Sequence, residues 1–237
     1  MQPFLKNQFE LIRKLIQRIY LINKKLLRKK LVLNNSNVLK KSTKFIVNEC
    51  IQGDYYEFGV WKGQTLVASY LNLIEYSKKR IRNSSEIGQN LNADNIRKLI
   101  ALETNFHAFD SFQGLPILTK EDSYSNDFFE GQFAANEKVI ENLAQAYNMP
   151  LERLIIHKGW FSKTCNIEYL NKFKFKKASI IWLDCDLYSS AKECFKLITY
   201  LIQDGTILIL DDWFSNKGSP LFGVQKAFYE WKSLSQI

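Results

Sequence analysis

Five short apolar runs, each followed by a stretch with helical spacing, constrain this chain more than anything else in it. They lie at residues 54–60 (DYYEFGV), 105–110 (NFHAFD), 153–159 (RLIIHKG), 179–188 (SIIWLDCDLY) and 205–212 (GTILILDD). Strands alternating with helices predict an α/β fold with a parallel sheet covered on both faces. Between the last two runs, Ala191, Cys194, Phe195, Ile198, Leu201 and Ile202 fall on one helical face, so the connection reads as a βαβ crossover. Strands joined in this way are usually neighbours and finish at the same edge of the sheet.

That edge collects acids. Asp184 and Asp186 end the fourth run, and Asp211 and Asp212 end the fifth. Isolated carboxylates are costly to bury and clustered ones repel, and a divalent cation such as Mg²⁺ with oxygen ligands is the simplest compensation. A single Asp after a strand serves equally well as a helix cap. Two acid pairs on neighbouring strands favour the metal reading, at the place where open α/β sheets bind ligands.

The first strand turn, YEFGVWKGQT, gives Gly59-x-x-x-Gly63, with Glu57 just before and a helix beginning near Gln64. Glycines here let backbone approach a ligand, and the helix N-terminus offers N–H groups to an anion. The spacing is not the G-x-G-x-x-G of a dinucleotide-binding turn. Asp110 stands where such folds use an acid to accept ribose hydroxyls. It lies 51 residues beyond Gly59, against about 20 in the usual unit. A polar segment at residues 77–104, with loop formers clustered in its middle, reads as an insertion that accounts for the excess.

A length of 237 residues with 46% hydrophobic content fits one α/β domain with an appendage. The appendage carries the charge. Residues 1–44 hold 12 Lys or Arg against Glu10 alone, and the rest hold 21 basic against 23 acidic residues. The overall +9 therefore gives no nucleic-acid reading for the main domain. In the N-terminal segment Leu5, Phe9, Ile12, Ile16 and Ile19 recur at helical spacing among the basic residues. This predicts a helix that packs on the domain or a second subunit, or lies on an anionic membrane surface. Its apolar runs are too short for a signal peptide or a span. Four cysteines without a CxxC pair read as reduced thiols of an intracellular protein.

The blocks EFGVWKGQT, FDSFQGLP, GWFSKT, IIWLDCDLYSSAKECF and ILILDDWF resemble, in order and spacing, the macrocin O-methyltransferase family of class I S-adenosylmethionine enzymes, over residues 54–228. The resemblance implies a Rossmann-like methyltransferase fold and metal-dependent methylation of a hydroxyl on a sugar or glycosylated small molecule. It implies that Glu57, Gly59 and Gly63 line the methionine portion of S-adenosylmethionine, that Asp110 with Ser111 holds the ribose side, and that Asp184, Asp211 and Asp212 bind Mg²⁺. Asp184 and Asp186 are the candidate catalytic residues, Asp186 as general base or as a group orienting a ligand. Residues 115–133, with Tyr124, Phe128, Phe129 and Phe133, are expected to cover the site. His107 and His157 sit within apolar runs and read as core histidines.

The expected organisation is a basic helical extension at 1–48 and a methyltransferase domain at 49–237, cytoplasmic, with peripheral contact at the inner membrane surface and a homo-oligomer as further options. Only 25 residues follow Asp212 and they read as one helix, where the resembling fold adds two strands ending in a reversed hairpin; either a shortened C-terminal hairpin or a sheet that closes differently is expected. Two other classes stay open on sequence grounds: a non-catalytic protein that keeps the fold, and another nucleotide-using α/β enzyme.

Overall fold

The computed structural model describes residues 13–14, 36–87, 90–122 and 128–235. Its strands are β1 (Asp54–Phe58), β2 (Phe106–Asp110), β3 (Leu154–Lys158), β4 (Ala178–Leu183) and β5 (Ile207–Leu210). Its helices are α1 (Ser36–Asn48), α2 (Gln64–Ile87), α3 (Leu91–Glu103), α4 (Glu137–Ala146), α5 (Phe161–Thr164), α6 (Ile167–Lys172), α7 (Tyr188–Leu201) and α8 (Gly223–Ser235). The strands form one parallel sheet in the order β3-β2-β1-β4-β5. All five apolar runs thus become strands, with bounds that differ from the runs at one end or both. The crossover through α7 joins neighbours, with Leu183 opposite Leu210.

Alternation along the strands builds two cores. Tyr55, Phe106, Ala108, Ile180 and Trp182 face α1, α2 and α3, where Leu39, Ile46, Val47, Leu66, Leu71 and Ile100 pack. Tyr56, Phe58, Phe109, Ile181 and Leu183 face α7 and α8, where Ala191, Cys194, Phe195, Ile198, Val224 and Ala227 pack. Residues 36–48, counted with the extension on sequence grounds, thus place three fully buried side chains in the first core. The amphipathic pattern at residues 5–19 lies outside the described residues, apart from Arg13 and Lys14, which are helical and exposed. No helix among the described residues is long and apolar enough to cross a membrane.

The segment at 77–104, read as an insertion with loop formers in its middle, is helical over nearly all of its described residues. It is the end of α2 followed by α3, with Asn90 capping α3 by accepting the Ala93 N–H. Arg97 fixes α3 to the domain, pairing with Asp94 and donating to the carbonyls of Val47 and Asn48. Of the residues that suggested a loop, Ser84 is buried on α2 and Asn90 is the cap of α3. Among the described residues no strand follows β5; the chain turns through Asp211–Phe214 and Asn216–Gly218 into α8, which packs on α7.

A buried polar chain crosses the second face of the sheet. The Tyr169 hydroxyl lies 3.0 Å from His157 Nδ1, His157 Nε2 lies 2.9 Å from His107 Nδ1, and His107 Nε2 lies 3.1 Å from Asp54 Oδ2. A carboxylate only accepts, so the donors run one way: Tyr169 to His157, His157 to His107, His107 to Asp54. Both histidines are buried and satisfied, as their apolar settings implied.

Candidate active site

The order places β1 between β2 and β4, so the strand order reverses between β1 and β4, and a crevice opens at their carboxyl ends. The two strands close tightly below it. Asp184 N–H donates to the Phe58 carbonyl at 2.9 Å, and Gly59 follows at φ +84, where a Cβ would lie 1.7 Å from the Asp184 carbonyl oxygen. Only glycine passes there.

The crevice is walled by Gly59 and Trp61 after β1, Asp110, Ser111 and Gly114 after β2, and Gly159, Trp160 and Phe161 after β3. Asp184, Cys185, Asp186 and Ser190 close it after β4, with Leu115, Pro116 and Phe133 as a roof. Of the residues proposed from sequence, Gly59, Asp110, Ser111, Asp184 and Asp186 are on this wall. Glu57 and Gly63 stand behind it. Glu57 is buried and accepts the Tyr55 hydroxyl, and burial pushes its carboxyl well above the usual range against that bond. Gly63 is packed against Ile140 at the start of α4.

Asp110 carries more than the sequence suggested. Its Oδ2 accepts Val60 N–H at 2.9 Å and Trp61 N–H at 3.0 Å, and its Oδ1 accepts Phe112 N–H at 2.7 Å. It pins the β1 turn to the β2 turn and keeps roughly one acceptor position of about four for a ligand. Ser111 is spent on its own turn, accepting Gln113 N–H and donating to the Gly114 carbonyl.

The acids after β4 and β5 converge. Asp184, Asp211 and Asp212 each offer a carboxylate oxygen, all within 4.8 Å of one another. Asp186 is not in this trio but is held against it: its backbone, at φ +61, donates N–H to Asp212 Oδ2 at 2.9 Å. Asp is among the few residues that tolerate this conformation. Burial, then the charges of Asp211, Asp212 and Asp186, push Asp184 up to about 8. Burial, then Asp212 and Asp211, push Asp186 up to about 7. Burial raises Asp211 and Asp212 as well. Oxygen donors at this separation with such mutual repulsion suit a hard divalent cation.

Sequence reasoning did not single out Trp61, Trp160, Phe161 or Ser190. The signal was present, because the turn after every parallel strand must arrive at the same edge. Of the aromatics in residues 115–133, Phe133 reaches the wall, Phe129 is exposed, and Tyr124 lies outside the described residues.

Two solved structures share this architecture, each with 18% sequence identity, and the likeness bears on the fold alone. The O-methyltransferase NovP superposes with a TM-score of 0.59, covering 84% of this chain and 71% of its own. The calicheamicin methyltransferase CalS11 superposes with a TM-score of 0.62, covering 97% and 85%. Fold and crevice together define a Rossmann-like α/β protein with the fold of these methyltransferases. Residues 93–237 match the family described as macrocin-O-methyltransferase (TylF), so the chain belongs to that family and is an O-methyltransferase. A comparison with curated proteins gave no match.

Proposed function

We propose that this chain transfers the methyl group of S-adenosylmethionine to a hydroxyl of a sugar or glycosylated small molecule, with Mg²⁺ or a similar cation held by Asp184, Asp211 and Asp212. The observation that carries this reading is the acid trio beside a crevice on a methyltransferase fold. The sugar acceptor is favoured by the family's description and by CalS11 being a calicheamicin methyltransferase.

The cofactor supplies a methyl group on a good leaving group, and the cation supplies Lewis acidity that lowers the pKa of an acceptor hydroxyl. The residues of the chain position and deprotonate. Gly59 brings bare backbone to the crevice, the remaining lone pair of Asp110 accepts one ribose hydroxyl, and Trp160 and Phe161 offer apolar surface to a base. Both histidines of the chain are buried in the polar chain across the sheet. That leaves Asp186, on the crevice wall and held beside the acid trio by its N–H to Asp212, as the general base that takes the hydroxyl proton on its carboxylate.

Calorimetric titration of S-adenosylmethionine and of its demethylated product, with and without Mg²⁺, tests this reading. The expected result is micromolar binding, with the Mg²⁺ heat and the Mg²⁺-dependent rise in Tm lost in Asp184→Ala. A folded chain that binds neither ligand would overturn it.

A further inference from the structure

We infer that Asp122 is a positioning residue: from the loop that roofs the crevice it caps α7 and so fixes the turn that carries Asp184 and Asp186. The inference rests on reading the acid trio as a cation site.

Helix α7 starts immediately after that turn, and a helix start leaves N–H groups without intrahelical partners. Its N-cap residue, Leu187, is apolar and makes no side-chain capping bond. The cap comes from 67 residues earlier: Asp122 Oδ1 accepts Ser189 N–H at 3.0 Å. Asp122 is buried, and its other oxygen accepts Thr119 N–H at 3.0 Å and the Thr119 hydroxyl at 2.6 Å. Burial works against its charge, but these donors and the Ser189 hydroxyl outweigh it and hold the carboxyl below the usual range. The loop is tied at its base, where Leu115 N–H donates to the Gln132 carbonyl and Gly131 N–H to the Leu115 carbonyl.

The acid turn is therefore held from two sides. Asp212 accepts Asp186 N–H on one, and Asp122 accepts Ser189 N–H on the other, with Ser190 beyond it on the crevice wall. Asp186 needs such support because its positive φ is tolerated rather than preferred. Asp184 stays tied to β1 through its own N–H, but without the Asp122 cap the first turn of α7 can fray, and the Asp186 N–H that orients the Asp212 carboxylate is no longer fixed.

The test is Mg²⁺ titration of the full chain by calorimetry, with amide hydrogen exchange across residues 188–190. Asp122→Ala is expected to weaken Mg²⁺ binding about ten-fold, as loss of a group that orients a metal ligand does, and to speed exchange in the first turn of α7. Asp122→Asn, which keeps an acceptor oxygen for Ser189, is expected to restore most of the affinity. Thr119→Val removes a hold on Asp122 without touching α7 and is expected to weaken binding in the same direction, which keeps the inference testable if Asp122→Ala does not fold. Unchanged Mg²⁺ affinity in Asp122→Ala or in Thr119→Val, beside a wild type that binds, overturns this inference alone. A wild type that binds no Mg²⁺ overturns the cation reading and this inference with it.

Discussion

Burial holds His157 down to about 3, with neighbouring His107 contributing second, whereas an unfolded chain titrates its histidines near 6.5. The unfolded state therefore takes up a proton that the native state refuses, and the stability supplied by this residue is full above about pH 7 and falls as pH drops from 6.5 towards 3. The raised carboxyls of Asp184 and Asp186 act in the opposite sense, stabilising toward acid, so a comparison with a variant is needed to isolate the imidazole. His157→Phe leaves the Tyr169 hydroxyl and His107 Nδ1 without their partner, and is expected to cost about 2–4 kcal/mol at pH 7.5. The gap from wild type should narrow by about 2 kcal/mol at pH 5, read from urea midpoints. At this scale the sequence was legible where one rule applied: acids ending neighbouring parallel strands must meet, and Asp184, Asp211 and Asp212 do. It was not legible where a partner lies far off in the chain. Nothing local marks Asp122 as the cap of α7, or Asp110 as the acceptor for Val60 and Trp61, because those bonds exist only once the loops are placed.

Turns decide more than helices here. Gly59→Ala asks for a Cβ inside the backbone of the β4 end, which must either push Asp184 away or unfold the turn. The expected outcome is a loss of more than about 3 kcal/mol in stability, together with loss of cofactor binding. Gly131→Ala is the control: it also has positive φ, but its Cβ would meet nothing within 4 Å, and a cost of only about 1 kcal/mol is expected. Chemical denaturation of the two variants checks both values. The strands were readable because buried parallel strands are continuous apolar runs with sharp ends. The helices within 77–104 were not legible because Asn and Ser signal a loop and a helix cap alike. What separates the two is the Ala93 N–H reaching Asn90 and Arg97 reaching back to α1, which composition does not contain.

At the scale of the molecule, the amino-terminal boundary is where sequence and structure part. The charge count draws a line near residue 44, but Leu39, Ile46 and Val47 lie in the main core. Each such side chain is worth about 1.5–3 kcal/mol when buried. A truncation that removes residues 1–48 is therefore expected to be less stable, by roughly 5 kcal/mol or more, than one that removes only residues 1–35, as read from urea midpoints of the two. The overall architecture needed no such detail, since alternation and the carboxyl-edge rule specify it, whereas the roof over the crevice depends on loops whose spacing carries no period.

The one-way chain of donors from Tyr169 to Asp54 has a practical corollary. The protein contains two histidines in all, and both are links in that chain, 5% and 1% exposed. An acylating reagent selective for imidazole then finds no target while the sheet is closed and two targets once it opens. The rate of labelling becomes a stopwatch for the opening of β1, β2 and β3, with no background from any other part of the molecule.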